Sequence, residues 1–356
     1  MSELILALNP GSTSTKLGLY ENQEGIFTET ISHNTEELKG YDKVTDQMEL
    51  RLEYIMNFLA QRDINVNDLD AVVGRGGLLK PIPGGTYKVN QKMMKDLRSG
   101  VQGEHASNLG GLLARAIGDK VDCPSYIVDP VVVDEMKPIA KLSGLPELKR
   151  PSIFHALNQK AVGRKYAADS NLEYEDLSLI VAHLGGGISV GIHQDGKVVD
   201  VNNALSGEGP FSPNRAGGLP TFDLFQMCYS EEYNYQQIKK KLIGDGGVVA
   251  YLDTNDMIEV EKEIENGNEK AELVFNAMAY QVAKEIGSLA PVVEGEIDSI
   301  LLTGGIAYSE NFTEKVKEMV DFIAPVNIYP GEEELEALAA GAYRVLIGQE
   351  EAKTYK

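Results

Sequence analysis

LILALNPGSTSTKLGLY, residues 4–20, opens with an apolar run from Leu4 to Leu8, breaks at Asn9-Pro10-Gly11 and resumes as a second apolar segment from Lys16 to Tyr20. Short apolar runs bounded by turn residues are the mark of buried strands, so this stretch reads as strand, polar turn, strand. A third strand is expected over 25–32. LSLIVAHLGGGISVGIHQDGKVVDV, residues 177–201, repeats the pattern with a Gly-rich turn. Setting Gly11 against Gly186 also pairs Ala7 with Ala182 and Ser14 with Ser189. Two unrelated hairpins would give a similar pattern, but the match falls at the turns, which favours an internal duplication of two similar domains.

The rest of the chain alternates in the manner of an α/β sheet. Helical spacing runs through Met48, Leu52, Ile55, Met56 and Leu59 within 46–62, then come a strand at 69–74, a Gly/Pro-rich loop at 76–85, a helix around 107–117 and a strand at 125–128. The second half adds helices at 270–289, 311–322 and 333–346 and a strand at 299–302. At 356 residues the chain suits two domains rather than one. The expected boundary lies at Lys149-Arg150-Pro151, with a fresh helix from about Ser152. This gives an N-terminal lobe 1–150, with helix 335–356 as its possible completion, and a nucleotide-binding lobe 151–334. The apolar face of 337–347 is a candidate hinge element.

Three segments set small residues directly after a buried strand: NPGSTSTK at 9–16, HLGGGIS at 183–189 and TGGIAYSEN at 303–311. Without bulky side chains, backbone amides can approach an anion, and Ser12, Thr13, Ser14 and Lys16 add hydroxyl donors and a cation for phosphate oxygens. Each alone is a common tight turn; together they point to a nucleotide. Neither a P-loop nor a strand–GxGxxG–helix opening is present.

Composition sets the limits. A net charge of −21 disfavours nucleic acid and anionic membranes, so phosphate must be met by local devices. Two cysteines, Cys123 and Cys228, give neither a disulfide framework nor a thiolate metal site. The histidines show no paired-ligand spacing, and Mg²⁺ arriving with the nucleotide is the metal to expect. With no signal-peptide core and no apolar stretch of membrane length, a cytoplasmic location is expected.

The ordered set LALNPGSTSTK, VVGRGGLL, IVDPVVVDEM, RPSIFHALNQKAV, VAHLGGGISVG, GPFSPNRAGG, ILLTGGIAYSEN and PGEEELEALAAGAYRVL resembles the acetate kinase family of the actin-like ATPase superfamily, in its butyrate and branched-chain fatty acid kinase branch. The resemblance spans nearly the whole chain. It implies two ribonuclease-H-like α/β domains with a central cleft closing over Mg-ATP, and reversible transfer of a phosphoryl group from ATP to a short-chain fatty acid of the butyrate, isobutyrate or valerate class. A homodimer or higher homo-oligomer is implied as well.

Carried over by resemblance, Asn9, Ser12, Ser14 and Lys16 belong to the first phosphate turn. Arg75 would meet the substrate carboxylate and the travelling phosphoryl group, Asp129 would orient catalytic groups, and Arg215 is the second arginine. His183 precedes the second phosphate turn of Gly185, Gly186 and Gly187. Gly304 and Gly305 fall in the adenosine motif, and Glu334, with Asn9, is the match for the Mg²⁺ site, although Glu332 and Glu333 are one or two positions away. Chemistry supports these roles: joining two anions calls for cations, and a carboxylate acceptor is already ionised at neutral pH and needs no general base. His183 would therefore act as a hydrogen-bond donor.

The plainer readings are that Arg75 forms a surface ion pair, Asp129-Pro130 a simple turn, and His155 a satisfied core histidine. Gly76 and Gly77 replace the bulky residues that follow the first arginine in acetate kinases, which is expected to widen the acyl pocket. The alternatives to a fatty acid kinase are an acetate, propionate or sugar kinase of the same fold, and a non-catalytic actin-fold ATPase switch.

Overall fold

Strands β1 (Leu4–Pro10), β2 (Ser14–Glu21) and β3 (Glu24–Ser32) form an antiparallel meander whose inward side chains are apolar. The computed structural model describes residues 2–205 and 207–356. After the meander come α1 (Thr35–Leu38), α2 (Met48–Gln61), β4 (Ala71–Arg75), β5 (Thr86–Lys88), α3 (Gln91–Ser99), α4 (Asn108–Val121) and β6 (Ser125–Val128). Next are α5 (Ala156–Asp169), β7 (Leu179–Leu184), β8 (Ile188–Gln194), β9 (Lys197–Val201), α6 (Thr221–Cys228), α7 (Tyr235–Leu242), α8 (Val248–Leu252), α9 (Met257–Glu265) and α10 (Glu269–Leu289). The chain ends with β10 (Ser299–Gly304), α11 (Glu310–Val320), β11 (Val326–Pro330), α12 (Glu334–Leu346) and β12 (Lys353–Thr354).

Two units result: residues 1–134 with 333–356, and residues 135–332. The first holds a seven-stranded sheet of order β12-β5-β6-β4-β1-β2-β3, and the second a five-stranded sheet of order β11-β10-β7-β8-β9. The run β6-β4-β1-β2-β3 and the whole second sheet match strand for strand. In each, three parallel strands are followed by two antiparallel ones. Topology thus repeats the similarity of the two hairpins.

In the first unit α2 and α4 cover one sheet face, burying Leu52, Ile55, Leu59, Leu109, Leu113 and Ile117 against Leu6, Leu8, Leu17 and Val72. A fully buried side chain of this kind contributes roughly 1.5–3 kcal/mol. Helix α4 approaches β4 so closely that a Cβ on Gly74 would stand 2.1 Å from the Gly110 carbonyl oxygen. Helix α12 packs against β1, β2, β4 and β6, with Leu338, Ala339 and Ala342 buried. In the second unit α10 buries Val274, Phe275, Met278, Val282 and Ile286, and Phe275 meets Phe312 of α11 edge to face at 5.3 Å.

The division falls after Asp134, whereas the sequence reading set it at 150. Charge pairing explains the difference. Lys160, only 2% exposed, holds Glu135 at 2.8 Å, and Arg150 bonds Asp200 at 2.9 Å and the Val201 carbonyl at 3.1 Å, so the linker is fastened to the second unit. Helix α5 begins at Ala156 rather than Ser152, and α6 to α9 were not anticipated. Among the described residues no helix is long and apolar enough to cross a membrane.

Candidate functional site

Parallel strands β1, β4 and β6 lie side by side, and Asn9, Arg75 and Asp129 stand at their carboxyl ends, the edge where open α/β sheets bind ligands. Glu334, the first residue of α12, joins two of them. The Asn9 amide donates to its carboxylate, and the Arg75 guanidinium lies 2.9 Å from its Oε1. Arg75 also approaches the Asn9 amide oxygen at 3.4 Å. The Glu334 side chain is 16% exposed and that of Arg75 25%, so both are shielded yet reachable. Of the three consecutive glutamates it is Glu334 that stands with Asn9. Its carboxylate and the Asn9 amide oxygen are the hard oxygen donors that Mg²⁺ takes when most of its ligands come from phosphate and water.

Asp129 is 1% exposed and adopts a φ of +36°. Its carboxylate accepts from the Gly85 N–H at 2.6 Å, and its own N–H donates to the Gly85 carbonyl at 3.1 Å. It pins the end of the loop that follows Arg75.

The turn from Gly11 to Ser14 is closed by a Gly11 N–H bond to the Ser14 carbonyl at 2.8 Å. Ser12 and Thr13 are exposed, and Lys16 projects to solvent from β2 opposite Asn9. Beneath the turn lies Arg51 of α2, 0% exposed. Its guanidinium donates to the carbonyls of Gly11 (2.8 Å), Ser12 (2.9 Å) and Ser14 (3.0 Å) and to Gln47 Oε1 (2.8 Å). Burial pushes its pKa down to about 10, which still leaves it charged at neutral pH. Burial and the nearby Arg51 charge push that of His33, bonded to Thr15 Oγ1 at 2.8 Å, down to about 4. Sequence reading missed Arg51. The available signal was a cation on the apolar stripe of α2, one turn after Met48 and one before Ile55.

The expectation that Gly76 and Gly77 open an acyl pocket is corrected. A Cβ on Gly76 would lie 2.5 Å from Pro130 Cβ, and one on Gly77 2.6 Å from Asn108 Cα. Asn108, itself buried, accepts from the Leu78 N–H at 2.8 Å and donates to the Gly103 carbonyl at 3.1 Å. The glycines let the loop lie against protein rather than making room for substrate. Gly77→Ala is accordingly expected to cost about 1–3 kcal/mol of stability through overpacking. Denaturant melts should show that loss with no change in the preferred acyl chain length.

In the second unit His183, at the end of β7, is 2% exposed. Its Nδ1 meets Asn158 Oδ1 at 2.7 Å, and its Nε2 lies 3.4 Å from Glu332 Oε1. His155, just before α5, stacks on it with ring centroids 3.7 Å apart and planes at 14°. Of the two residues it is His155, which the sequence reading treats as core, that is partly exposed. Neither Asn158 nor His155 carried a distinguishing sequence signal beyond lying in IFHALN.

Gly187 is demanded by Arg215, since a Cβ there would fall 1.8 Å from Arg215 Nη1. The guanidinium passes over Gly187 to donate to the Ala204 carbonyl, and burial lowers its pKa. Gly304, at φ +90°, lets β10 pass against Leu184, whose carbonyl oxygen a Cβ would approach to 2.4 Å. A Cβ on Gly305 would meet nothing within 4 Å. Gly305 and the second turn, through Gly185 and Gly186, line a cavity of about 600 Å³ with Asp256, Ile258, Ile306, Tyr308 and Ser309 among its other walls. That volume falls within the range of small-ligand sites. Two of the three glycine turns therefore share one cavity, while Asn9, Arg75 and Glu334 form a separate cluster in the first unit.

The acetokinase family model matches residues 148–355. The chain is 56% identical to Butyrate kinase 2 of Clostridium acetobutylicum over 99% of each chain. It is 54% identical to a probable butyrate kinase of Clostridium botulinum (strain Alaska E43 / Type E3) over the whole of both. Among solved structures, acetate kinase of Porphyromonas gingivalis superposes with a TM-score of 0.80 at 19% identity, covering 97% of this chain and 100% of the other.

Proposed function

The chain belongs to the acetokinase family, and we propose that it transfers the γ-phosphoryl group of ATP to butyrate or a branched analogue, giving acyl phosphate and ADP. ATP-dependent phosphorylation of a short-chain fatty acid is the activity of the family branch that the chain matches over its full length. The observation that carries the residue assignment is the Asn9–Arg75–Glu334 constellation at the carboxyl edge of a parallel sheet.

Nucleoside binds the cavity beside Gly305, where the absence of a side chain lets a ring lie on backbone. Arg75 binds the acceptor carboxylate, and Arg215 offers positive charge to the equatorial phosphoryl oxygens, where the transition state gathers it. Ser12, Ser14 and Lys16 meet the phosphates. Asn9 and Glu334 would hold Mg²⁺, which when bound neutralises charge on the β- and γ-phosphate oxygens. Because His183 is buried with its Nδ1 bonded to Asn158 while His155 is partly exposed, the donor role expected of His183 is assigned instead to His155, with His183 stacked behind it. The acceptor is already ionised, so neither ring removes a proton.

Hydroxamate trapping of acyl phosphate across straight and branched acids tests the reading. Four- and five-carbon acids should give the highest kcat/KM, with neighbouring lengths overlapping, because one methylene is worth only about 1–3 kcal/mol. Hydrolysis of ATP that no acid converts into acyl phosphate would reject it.

A further inference from the structure

Behind His155 runs a chain of buried polar groups whose donors and acceptors can be assigned in one direction. Gln159 of α5 is 0% exposed and donates from Nε2 to the Ser189 carbonyl at 3.0 Å and to Ser189 Oγ at 2.8 Å. A carbonyl can only accept, so it fixes which way the amide faces. Gln159 Oε1 is therefore the atom at 3.1 Å from His193 Nε2, and His193 must donate from that nitrogen. His193, also 0% exposed, then has Nδ1 as an acceptor, and the Tyr174 hydroxyl donates to it at 2.7 Å. At the other end, Ser189 Oγ has accepted from Gln159 and lies 2.9 Å from His155 Nδ1. The serine is itself fully buried, so its proton needs an acceptor close by, and the imidazole nitrogen supplies one.

We propose that Tyr174, His193, Gln159 and Ser189 are positioning residues that form an oriented hydrogen-bond relay, holding His155 in the neutral form with its proton on Nε2. The ring then presents an N–H donor at the nitrogen remote from Ser189, aimed by groups packed beneath it. The inference deepens, and rests on, the reading of His155 as the donor to the phosphoryl group. Fixing a tautomer through the opposite nitrogen is a general way of aiming an imidazole. Here it costs no charge in the core, since every link is neutral. It also accounts for a buried Gln–His–Tyr set on the face of β8 opposite Ile188, Val190 and Ile192, which core packing alone does not require.

The test combines spectroscopy and kinetics on the full chain. With ¹⁵N-histidine labelling, and His155→Ala to assign the resonances, the wild-type His155 Nδ1 should appear as an unprotonated acceptor and Nε2 as the protonated nitrogen. Ser189→Ala removes only the hydroxyl and leaves the Gln159 bond to the carbonyl in place. It should move His155 toward a mixture of tautomers and lower kcat roughly tenfold with KM for ATP and acid little changed, as loss of an orienting partner does. Ser189→Cys keeps the size and a weak donor, so it should fall between the two. A proton on His155 Nδ1 in the wild type, or a Ser189→Ala enzyme with unaltered spectrum and kcat, overturns the relay. If instead His155→Ala retains full turnover while the wild-type spectrum is as expected, the relay stands and the catalytic reading of His155 is what fails.

Discussion

Arg75→Ala is expected to lower kcat by roughly a thousandfold, the scale on which an arginine facing a transferred phosphoryl group acts. Stability should change by about 1–3 kcal/mol, between the values for exposed and for buried pairs, because the side chains of Arg75 and Glu334 are 25% and 16% exposed. KM for the acid should rise as well, since in the proposed role the guanidinium both stabilises the transition state and holds the carboxylate in the ground state. Arg75→Lys is expected to recover only part of the loss. A lysine restores the charge but not the planar fork that grips a carboxylate by two N–H groups. Acyl phosphate formation at saturating ATP gives kcat directly. An Arg75→Ala enzyme within tenfold of wild type would show that the cluster with Asn9 and Glu334 is structural.

Arg75 owes its place to features far from the chemistry. Strand β4 ends beside Asn9 because it runs parallel to β1 in register Leu8 to Gly74. Helix α4 seats against it because two glycines, Gly74 and Gly110, let backbone touch backbone. Asp129 then fastens the following loop at Gly85. Much of this was legible. The hairpins at 4–20 and 177–194 announce themselves by apolar runs broken at small residues, and each glycine turn follows its strand as expected. Other parts were hidden for physical reasons. Helix α6 buries none of its residues, although Phe222, Phe225 and Tyr229 share one exposed face, and α7 buries only Ile238, so neither helix is tied to a core. Gly76 and Gly77 looked like missing side chains in a pocket because a sequence does not show that Pro130 and Asn108 occupy the space. His155 and His183 could not be ranked, since which of two stacked rings is buried depends on the strands behind them.

Arg51 carries the second large expectation, and its argument runs through the backbone. In a trans peptide the carbonyl and the following N–H point in opposite directions. Arg51 draws the carbonyls of Gly11 and Ser12 inward, so the N–H groups of Ser12 and Thr13 face out, as an anion-binding turn requires. Arg51→Met would strand several carbonyls beneath the turn at roughly 1–3 kcal/mol each, and is expected to destabilise the protein by about 3 kcal/mol or more. Arg51→Lys separates architecture from function. Its ammonium has three donors against five, so it can keep the buried charge and part of the clamp while losing the geometry that spans the carbonyls of Gly11, Ser12 and Ser14. The lysine enzyme should fold, with KM for ATP raised by about tenfold and KM for the acid nearly unchanged, because the turn is proposed to meet phosphate and not the acyl group. A lysine variant that melts earlier yet keeps wild-type ATP kinetics would mean that the buried arginine only holds β1 and β2 to α2, and that the outward N–H groups do not bind the nucleotide's phosphates.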